Sequence, residues 1–382
     1  WRLEEFQHYY GNATFDDGGT AESARFLLRI YAEKKDPAHK PALDRAIAFV
    51  LDSQFPNGAW PQRYPRAEAV SLHGLPDYSS YYTFNDDVAG ENIDFLLQAH
   101  GVRGAARLLA AARKGMDAFV LMQQPAPQAA WGLQHTPDLK PAAARSYEPR
   151  ALVTHTTAAN VEAMIGFYKT TGDPVFLARV PEALDWLDSV KLPADLARPG
   201  RTHPTFIEVG TNQPLYVHRR GSNVVNGEYY VDRNPEKTLG HYGSFRYVDL
   251  ARLRALYAEA KALPPAELAA RSPFAAGAAP RPLPRYFTVT DGGPLRPGQG
   301  APLTPAERAA RLVADLDAEG YWLSPLGSNS HPYKGDGPKT PAPGDFSQTN
   351  VGDEFDTSPF RDEALRGIST GAFIRNMGAL IK

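Results

Sequence analysis

"TFDDGGTAESARFLL" runs from Thr14 to Leu28, and "TFNDDVAGENIDFLL" runs from Thr83 to Leu97. Both stretches place acidic residues directly before an apolar run with helical spacing. Glu22 and Glu91 occupy equivalent places in them, 69 residues apart. A fainter third copy is "THTTAANVEAMIGFY", in which Glu162 lies a further 71 residues along the chain. The chain therefore repeats a structural unit of about 70 residues.

The second half of each unit also recurs. "AFVLDSQFPNGAW" at Ala48–Trp60 corresponds to "AFVLMQQPAPQAAW" at Ala118–Trp131, and more loosely to "ALDWLDSVKLP" at Ala183–Pro193. The apolar spacing predicts two helices in each unit. The predicted helices are Ala21–Lys34, Lys40–Gln54, Asp86–His100, Gly104–Gln123, Thr157–Thr170 and Pro174–Val190. Only Thr205–Gly210 and Glu228–Asp232 have a weak strand pattern.

Three helical hairpins must stack, because one hairpin cannot bury its apolar face alone. They could form an open solenoid or close into a small toroid. We favour a mainly α-helical (α/α)₃ toroid, in which the acid-bearing loops gather at one end and form a cleft. The sequence predicts a toroidal catalytic domain over residues 1–257. Residues 258–382 are read as a loop-rich extension with a helix at Thr304–Trp322 and a short apolar segment at 367–381.

Composition excludes several classes of protein. The chain has 382 residues and a formal net charge of −2, so it lacks the basic surface of a nucleic-acid-binding protein. It contains no cysteine, which excludes disulfides and cysteine-bound zinc, and no apolar run approaches the roughly 20 residues of a membrane span. Because the chain begins at Trp1 without Met, we expect that a signal peptide or another upstream segment was removed and that the protein is secreted or periplasmic. We also expect a monomer.

The loops before the first two hairpins contain the clearest candidate site. Asp16 and Asp17 lie in one loop, and Asn85, Asp86 and Asp87 lie in the next. Hard oxygen ligands from two loops suit Ca²⁺, which takes six to eight of them. Each acid could instead be a helix N-cap. However, one cap needs a single acid, whereas these loops carry two each.

Three further features are candidates for ligand contacts. Trp60, in "NGAWPQRYP", could stack on a sugar face or fill the gap between two hairpins. Arg145, in "AARSYEP", could act in the site or form an ion pair with Glu148. Arg219 and Arg233 belong to a local basic region of a chain without net positive charge, which suggests a small anionic ligand such as a carboxylate.

Taken together, these stretches resemble the family 10 pectate lyases over roughly residues 12–246. The resemblance rests on five ordered motifs: "TFDDGGTAESARFLLRIY", "QFPNGAWPQRYP", "TFND", "WGLQHTPDLKPAAARSYE" and "FIEVGTNQPLYVHRRG". It implies an (α/α)₃ toroid and the Ca²⁺-assisted β-elimination of polygalacturonate, an anionic polysaccharide. Asp17 stands where the family usually has Asn, and "RRG" stands in place of the family's "RDG".

The resemblance also implies roles for individual residues. Asp86 corresponds to a Ca²⁺ ligand, Asp16 to an Asp at the metal and substrate, and Asp17 to a further ligand. Arg145 corresponds to the base, and Arg219 to a residue that contacts a substrate carboxylate. Arginine is normally protonated in proteins, so this role requires a local positive field and exclusion of water. We expect activity to rise at alkaline pH.

The residues leave three hypotheses open. The first is a Ca²⁺-dependent pectate lyase with Arg145 as base. The second is a non-catalytic homologue that binds uronans. The third is a hydrolase of uronic-acid oligosaccharides on the same fold, with Asp16 and Asp86 as the two carboxylates that flank the bond.

Overall fold

A computed structural model describes residues 13–66, 78–145, 147–220, 228–236, 238, 242–279, 283, 304–325 and 366–381. The described part is mainly helical. Its α-helices are α1 Gly19–Lys34, α2 Lys40–Ser53, α3 Val88–Arg103, α4 Ala106–Met122, α5 Thr154–Thr171, α6 Val175–Ala178, α7 Val180–Ser189, α8 Leu250–Lys261, α9 Pro265–Ala270, α10 Pro305–Ala314 and α11 Thr370–Ile381. No helix in these residues is long and apolar enough to cross a membrane.

Three consecutive hairpins form the body of the fold, as the sequence predicted. Helices α1 and α2 form the first, α3 and α4 the second, and α5 with α6 and α7 the third. Helix α1 packs on α3, and α4 packs on α5, so each hairpin covers the apolar face of the next. The first helix of each hairpin ends at a residue in the left-handed conformation, which is Lys35, Gly104 or Gly172. The predicted mainly α fold class of three helical hairpins is confirmed.

Buried tryptophans repeat with the hairpins. Trp60 donates from Nε1 to the carbonyl of Val50 at 2.8 Å, and Trp131 donates in the same way to Phe119 at 2.9 Å. Each indole thus ties the loop after the second helix of a hairpin back to that helix. Trp186 is also buried, but it lies within α7 and donates to Asn212.

Five of the six predicted helices start one to three residues away from the prediction, and two of these differences bear on the site. Helix α3 begins at Val88 rather than Asp86, because Asp86 and Asp87 both adopt positive φ. Helix α5 begins at Thr154 rather than Thr157 and has no side-chain cap. A short strand, Ala151–Val153, leads directly into this helix.

The strands are short and lie in the loops. They are β1 Ala13–Thr14, β2 Arg63–Tyr64, β3 Tyr82–Thr83, β4 Gln134–His135, β5 Pro141–Ala142, β6 Ala151–Val153, β7 His203–Pro204, β8 Phe206–Glu208, β9 Pro214–Arg220, β10 Glu228–Asp232, β11 Phe245–Arg246, β12 Leu323–Pro325 and β13 Arg366–Ile368. All pairs are antiparallel, and the largest sheet has the order β10-β9-β8-β6. Strands β6 and β11 lead to the functional region, since they adjoin the start of α5.

The described chain divides into two compact units. Helices α1–α9 belong to the first, and α10, α11, β12 and β13 belong to the second. Helix α8 spans the predicted boundary at residue 257 and packs on α5 and α7, so the first unit continues to Leu283. In the second unit Thr304 caps α10 with Glu307, and α10 ends at Ala314 rather than at the predicted Trp322. The division into a catalytic domain and an extension stays a prediction.

Candidate active site

Three carboxylates meet at the N-terminal ends of α1 and α3. Asp16, Asp17 and Asp86 offer oxygens that all lie within 4.8 Å of one another. We call these three residues the acidic trio. They are brought together because α1 packs beside α3, so that the two repeated loops are neighbours. They are the three residues that the sequence analysis singled out as metal ligands.

The backbone of both loops is held in an uncommon conformation. Asp17 has φ 51° and its repeat counterpart Asp86 has φ 52°, and each is followed by a second left-handed residue, Gly18 or Asp87. Non-glycine residues at positive φ are uncommon and cluster at functional sites. The residue before each helix is Gly18 or Asp87. The trio therefore lies outside the N-cap positions and is not explained by capping.

The carboxyl groups of Asp16 and Asp86 share a hydrogen bond. Burial raises the pKa of Asp16, but the hydrogen bond with Asp86 and the charge of Arg145 outweigh it, so this pKa lies below its usual value. Burial, the hydrogen bond and the charge of Asp16 together raise the pKa of Asp86 to about 8. The pair therefore holds one proton at neutral pH in the absence of a cation.

The trio fits a hard divalent cation. Its ligand atoms are carboxylate oxygens from two adjacent loops, which is the donor chemistry that Ca²⁺ prefers. Asp16 Oδ1 is buried and has no hydrogen-bond partner among the described residues. An orphaned buried carboxylate oxygen is costly unless a ligand satisfies it. Asn85 also contributes, since its Nδ2 donates to Asp86 Oδ2 at 2.5 Å and orients that carboxyl group.

Arg145 lies in the same pocket as the trio. Its side chain is only 6% exposed, and Nη2 donates to Asp16 Oδ2 at 2.5 Å. Its Nη1 donates to Glu148 Oε1 at 3.0 Å, and its backbone N–H donates to Glu148 Oε2 at the same distance. The two interpretations of Arg145, a site residue and a partner of Glu148, therefore both hold.

Electrostatics hold Arg145 in its cationic form. Burial lowers the pKa of the guanidinium, but the negative charges of Glu148 and Asp16 outweigh burial and keep this pKa above its usual value. Glu148 itself is 1% exposed, so it is an interior counter-charge rather than a surface partner. The arrangement positions the guanidinium firmly beside the trio.

Tyr242 is a site residue that the sequence analysis did not select. Its hydroxyl donates to Glu148 Oε1 at 2.6 Å and lies 3.2 Å from Asn85 Oδ1 and 3.5 Å from Arg145 Nη1. Burial and the charge of Glu148 raise the pKa of Tyr242, so its hydroxyl stays protonated. The sequence signal is weak, because Tyr242 stands in "HYGSF", a short aromatic stretch outside the five motifs that carry the resemblance.

Trp60 does not reach the site. Its side chain is fully buried, and it contacts the helix backbone where Gly115 leaves room for the indole. The expectation that Trp60 stacks on a sugar is therefore wrong, and the alternative that it fills the gap between hairpins is correct. The cause is the Nε1 hydrogen bond to Val50, which turns the indole into the core.

The structure describes the two predicted arginines of the basic region to different extents. Arg219 lies in β9 opposite Tyr229, and its side chain is outside the described residues. Arg233 donates to Glu208 Oε2 and to the carbonyl of Pro214, both at 2.6 Å. Arg233 is thus engaged in a surface ion pair rather than brought to the trio.

An elongated cleft of about 880 Å³ begins beside the trio. Asp86, Asp87 and Tyr242 line one end, and α3 and α5 form its two sides. The cleft adjoins the trio at Asp86 and provides space for a chain-like ligand beside it.

The chain is similar to one known family and to two solved structures. Residues 4–236 match the family model described as pectic acid lyase. A mutant family 10 polysaccharide lyase from Cellvibrio cellulosa in complex with trigalacturonic acid is 22% identical, with a TM-score of 0.42 over 53% of this chain and 68% of that chain. A second structure of family 10 polysaccharide lyase from the same organism is 20% identical, with a TM-score of 0.43 over 65% of this chain and 76% of that chain. No curated protein matches the chain significantly.

Proposed function

Because the chain belongs to the pectic acid lyase family and is therefore a polysaccharide lyase, we propose that it is a Ca²⁺-dependent pectate lyase that cleaves polygalacturonate by β-elimination, with Arg145 as base. The observation that supports the proposal most is the convergence of the acidic trio and Arg145 in one pocket. The resemblance inferred from the sequence motifs is confirmed by the family match.

The trio would hold the cation. Asp16 can serve two partners, because its Oδ2 contacts Arg145 while its Oδ1 has no partner among the described residues. Asp17 and Asp86 supply the other carboxylates. When bound, Ca²⁺ would neutralise the uronate carboxylate and so acidify the proton on the adjacent carbon. Placing the cation here also removes the need for Asp16 and Asp86 to share a proton.

Arg145 would take the proton α to that carboxylate. The electron pair of the broken C–H bond forms the new double bond, the glycosidic C–O bond breaks, and the leaving oxygen takes a proton from water. Glu148 and Asp16 hold the guanidinium in place but also favour its charged form, so they oppose this step. The step therefore depends on alkaline conditions, in which the neutral guanidine is more populated.

The hydrolase hypothesis fits this geometry poorly. Glycosidases flank the scissile bond with two carboxyl groups about 5 to 9.5 Å apart. Asp16 and Asp86 instead contact each other through a hydrogen bond, so no sugar bond can lie between them.

A polymeric substrate cannot enter a cell, and we therefore propose that the enzyme acts outside the cytoplasm.

The test is an assay on polygalacturonate with and without Ca²⁺, followed by ultraviolet absorbance of the unsaturated product and by product sizing. Activity should require Ca²⁺ and disappear with EDTA. Arg145→Ala should lower kcat by about 10²- to 10⁴-fold while most substrate affinity remains. Arg254→Gln is the matched control, because Arg254 of α8 forms an exposed ion pair with Asp185 of α7, and the variant removes one arginine charge there.

Two outcomes would overturn the proposal. Binding of polygalacturonate without any product would favour the uronan-binding homologue. New reducing ends without a new double bond would favour the hydrolase.

A further inference from the structure

The two sides of the cleft beside the trio differ in chemistry. On the α3 side, the carboxylates of Asp87 and Asp94 face the cleft. On the opposite side, His155 and Asn160 of α5 and Arg246 of β11 present hydrogen-bond donors. We call these three residues the donor wall. None of them belongs to the site described above. The carboxylate of Glu162, which also lines the cleft from α5, is paired with Arg252.

Arg246 is a guanidinium without an acidic counterpart among the described residues. Its Nε is buried and makes no hydrogen bond there, and its Cζ lies 5.8 Å from the centre of the Tyr242 ring. Burial lowers the pKa of this guanidinium, since only Tyr242 offsets the loss of hydration. Arg145, by contrast, lies between two carboxylates. A half-buried cation without a counter-charge is costly unless a ligand supplies one.

The other two members of the donor wall also have unused polar atoms. His155 Nδ1 and Asn160 Nδ2 are buried and have no partner among the described residues, and Asn160 is only 5% exposed. Burial, followed by the charge of Arg246, lowers the pKa of His155 to about 3, so this ring is neutral and can donate from Nδ1. Buried polar groups normally have partners. Three unsatisfied groups on one side of one cleft therefore indicate a polar ligand.

We propose that the donor wall of His155, Asn160 and Arg246 is a second carboxylate subsite, which binds the uronate next to the one held at the acidic trio. This inference rests on the proposed function, because it takes the same polymer as ligand. Arginine suits a carboxylate through its planar pair of N–H groups.

The position of Tyr242 supports a neighbouring sugar rather than the same one. Its hydroxyl lies 3.5 Å from Arg145 Nη1, and its ring lies below the guanidinium of Arg246. One tyrosine ring thus separates the two guanidinium groups. A uronate held at the trio beside Arg145 and its neighbour in the chain can therefore meet the trio and the donor wall in turn.

The acids on the opposite side are compatible with such a ligand. Asp87 and Asp94 repel a carboxylate but accept hydrogen bonds from sugar hydroxyls. The sugar is therefore oriented, with its carboxylate towards the donor wall and its hydroxyls towards α3. A neutral polysaccharide would leave Arg246 without a counter-charge, so the donor wall selects for uronic acids.

The test compares Arg246→Gln with the wild type in kinetics on polygalacturonate. We expect KM to rise about 10- to 50-fold while kcat stays within about twofold, because the residue binds substrate away from the reacting atoms. Arg246→Lys should recover part of the affinity, since it restores the charge without the planar fork. On highly methyl-esterified pectin, wild type and Arg246→Gln should behave alike. An equal loss on both substrates would indicate a structural role and overturn the subsite.

Two further variants provide a second test of the subsite and a control. Asn160→Ser shortens the side chain and withdraws its amide donor from the cleft, so it should raise KM by about three- to tenfold, which tests the subsite even if Arg246→Gln fails to fold. Arg254→Gln again controls for the loss of one positive charge and should leave KM unchanged. An unchanged KM in both Asn160→Ser and Arg246→Gln would contradict the proposal.

Binding measurements separate this inference from the proposed function. Trigalacturonate is titrated into the Arg145→Ala variant and into the Arg145→Ala, Arg246→Gln double variant, neither of which turns it over. A loss of affinity in the double variant supports the subsite even if the wild type forms no unsaturated product, in which case only the proposed function fails. Equal affinities, with an active wild type, overturn the subsite alone.

Discussion

At the scale of single residues, carboxylates in one pocket have different tasks. Glu148 is buried and neutralises Arg145, whereas Asp17 is exposed at the rim of the trio. Removing one partner of a buried ion pair leaves an uncompensated charge. Glu148→Gln should therefore lower the free energy of unfolding by on the order of 3 kcal/mol. Asparagine tolerates the left-handed backbone at position 17. Asp17→Asn should therefore change the free energy of unfolding by less than about 0.5 kcal/mol.

Urea unfolding of both variants, with Ca²⁺ titration of each, makes this comparison. Asp17→Asn should weaken Ca²⁺ binding although its stability is unchanged. Equal stabilities for Glu148→Gln and the wild type would contradict the assignment of Glu148 as an interior counter-charge.

His135 predicts how acid affects stability. It is fully buried, and burial lowers its pKa to about 3, against about 6.5 in the unfolded chain. As the pH falls below 6.5, the unfolded state binds a proton that the folded state does not, so stability is present above pH 6.5 and is lost towards pH 3. Between pH 7 and 5 the wild type should lose about 2 kcal/mol more than His135→Gln. Parallel curves of unfolding free energy against pH for the wild type and His135→Gln would refute this prediction.

At the scale of elements, glycine shows how closely the hairpins pack. A Cβ at Gly115 would lie 2.8 Å from the ring of Trp60 and 2.8 Å from Ile93, whereas a Cβ at Gly166 of α5 would meet nothing within 4 Å. Gly115→Ala should therefore lower the free energy of unfolding by about 1–3 kcal/mol through overpacking. Gly166→Ala should raise it by about 0.5–1 kcal/mol, because alanine favours the helix. Urea unfolding measures both, and a neutral Gly115→Ala would disprove the contact between hairpins.

The repeat explains how much the sequence could predict. Apolar periodicity located all three hairpins, and the doubled acids located the trio, because both signals are local in the chain. The left-handed pair at Asp86 and Asp87 has no such signal, so α3 was placed two residues early. Strand β9 was missed because its pairing with β8 and β10 is not local.

The direction of a side chain was the other feature that the sequence could not predict. Trp60 has the same sequence context whether it points outward or inward, and only the hydrogen bond to Val50 decides. Tyr242 joins the site from 97 residues beyond Arg145, a distance over which no local pattern carries information. Arg246 was missed for the same reason.

At the scale of the first compact unit, the residues that stabilise the fold are different from the residues that form the site. The tryptophans and apolar helix faces make one continuous core. The site, by contrast, keeps unsatisfied groups: Asp16 Oδ1 in the trio and the polar atoms of the donor wall. Such groups reduce stability unless ligands satisfy them. The unit should therefore be more stable with its ligands than without them.

Calcium provides the direct test of this idea. A cation bound by the trio stabilises the folded state by about 2.7 kcal/mol when its concentration is 100 times Kd, because the unfolded chain cannot assemble the site. The melting temperature measured by calorimetry should therefore rise by several degrees with Ca²⁺ and return with EDTA. Mg²⁺ should give a smaller rise, since it gives up its waters reluctantly. Asp86→Asn should abolish the Ca²⁺ shift, whereas Asp185→Asn, an exposed aspartate of α7, should keep it. An equal Ca²⁺ shift in Asp86→Asn and the wild type would place the cation elsewhere and remove the basis for metal-assisted elimination at the trio.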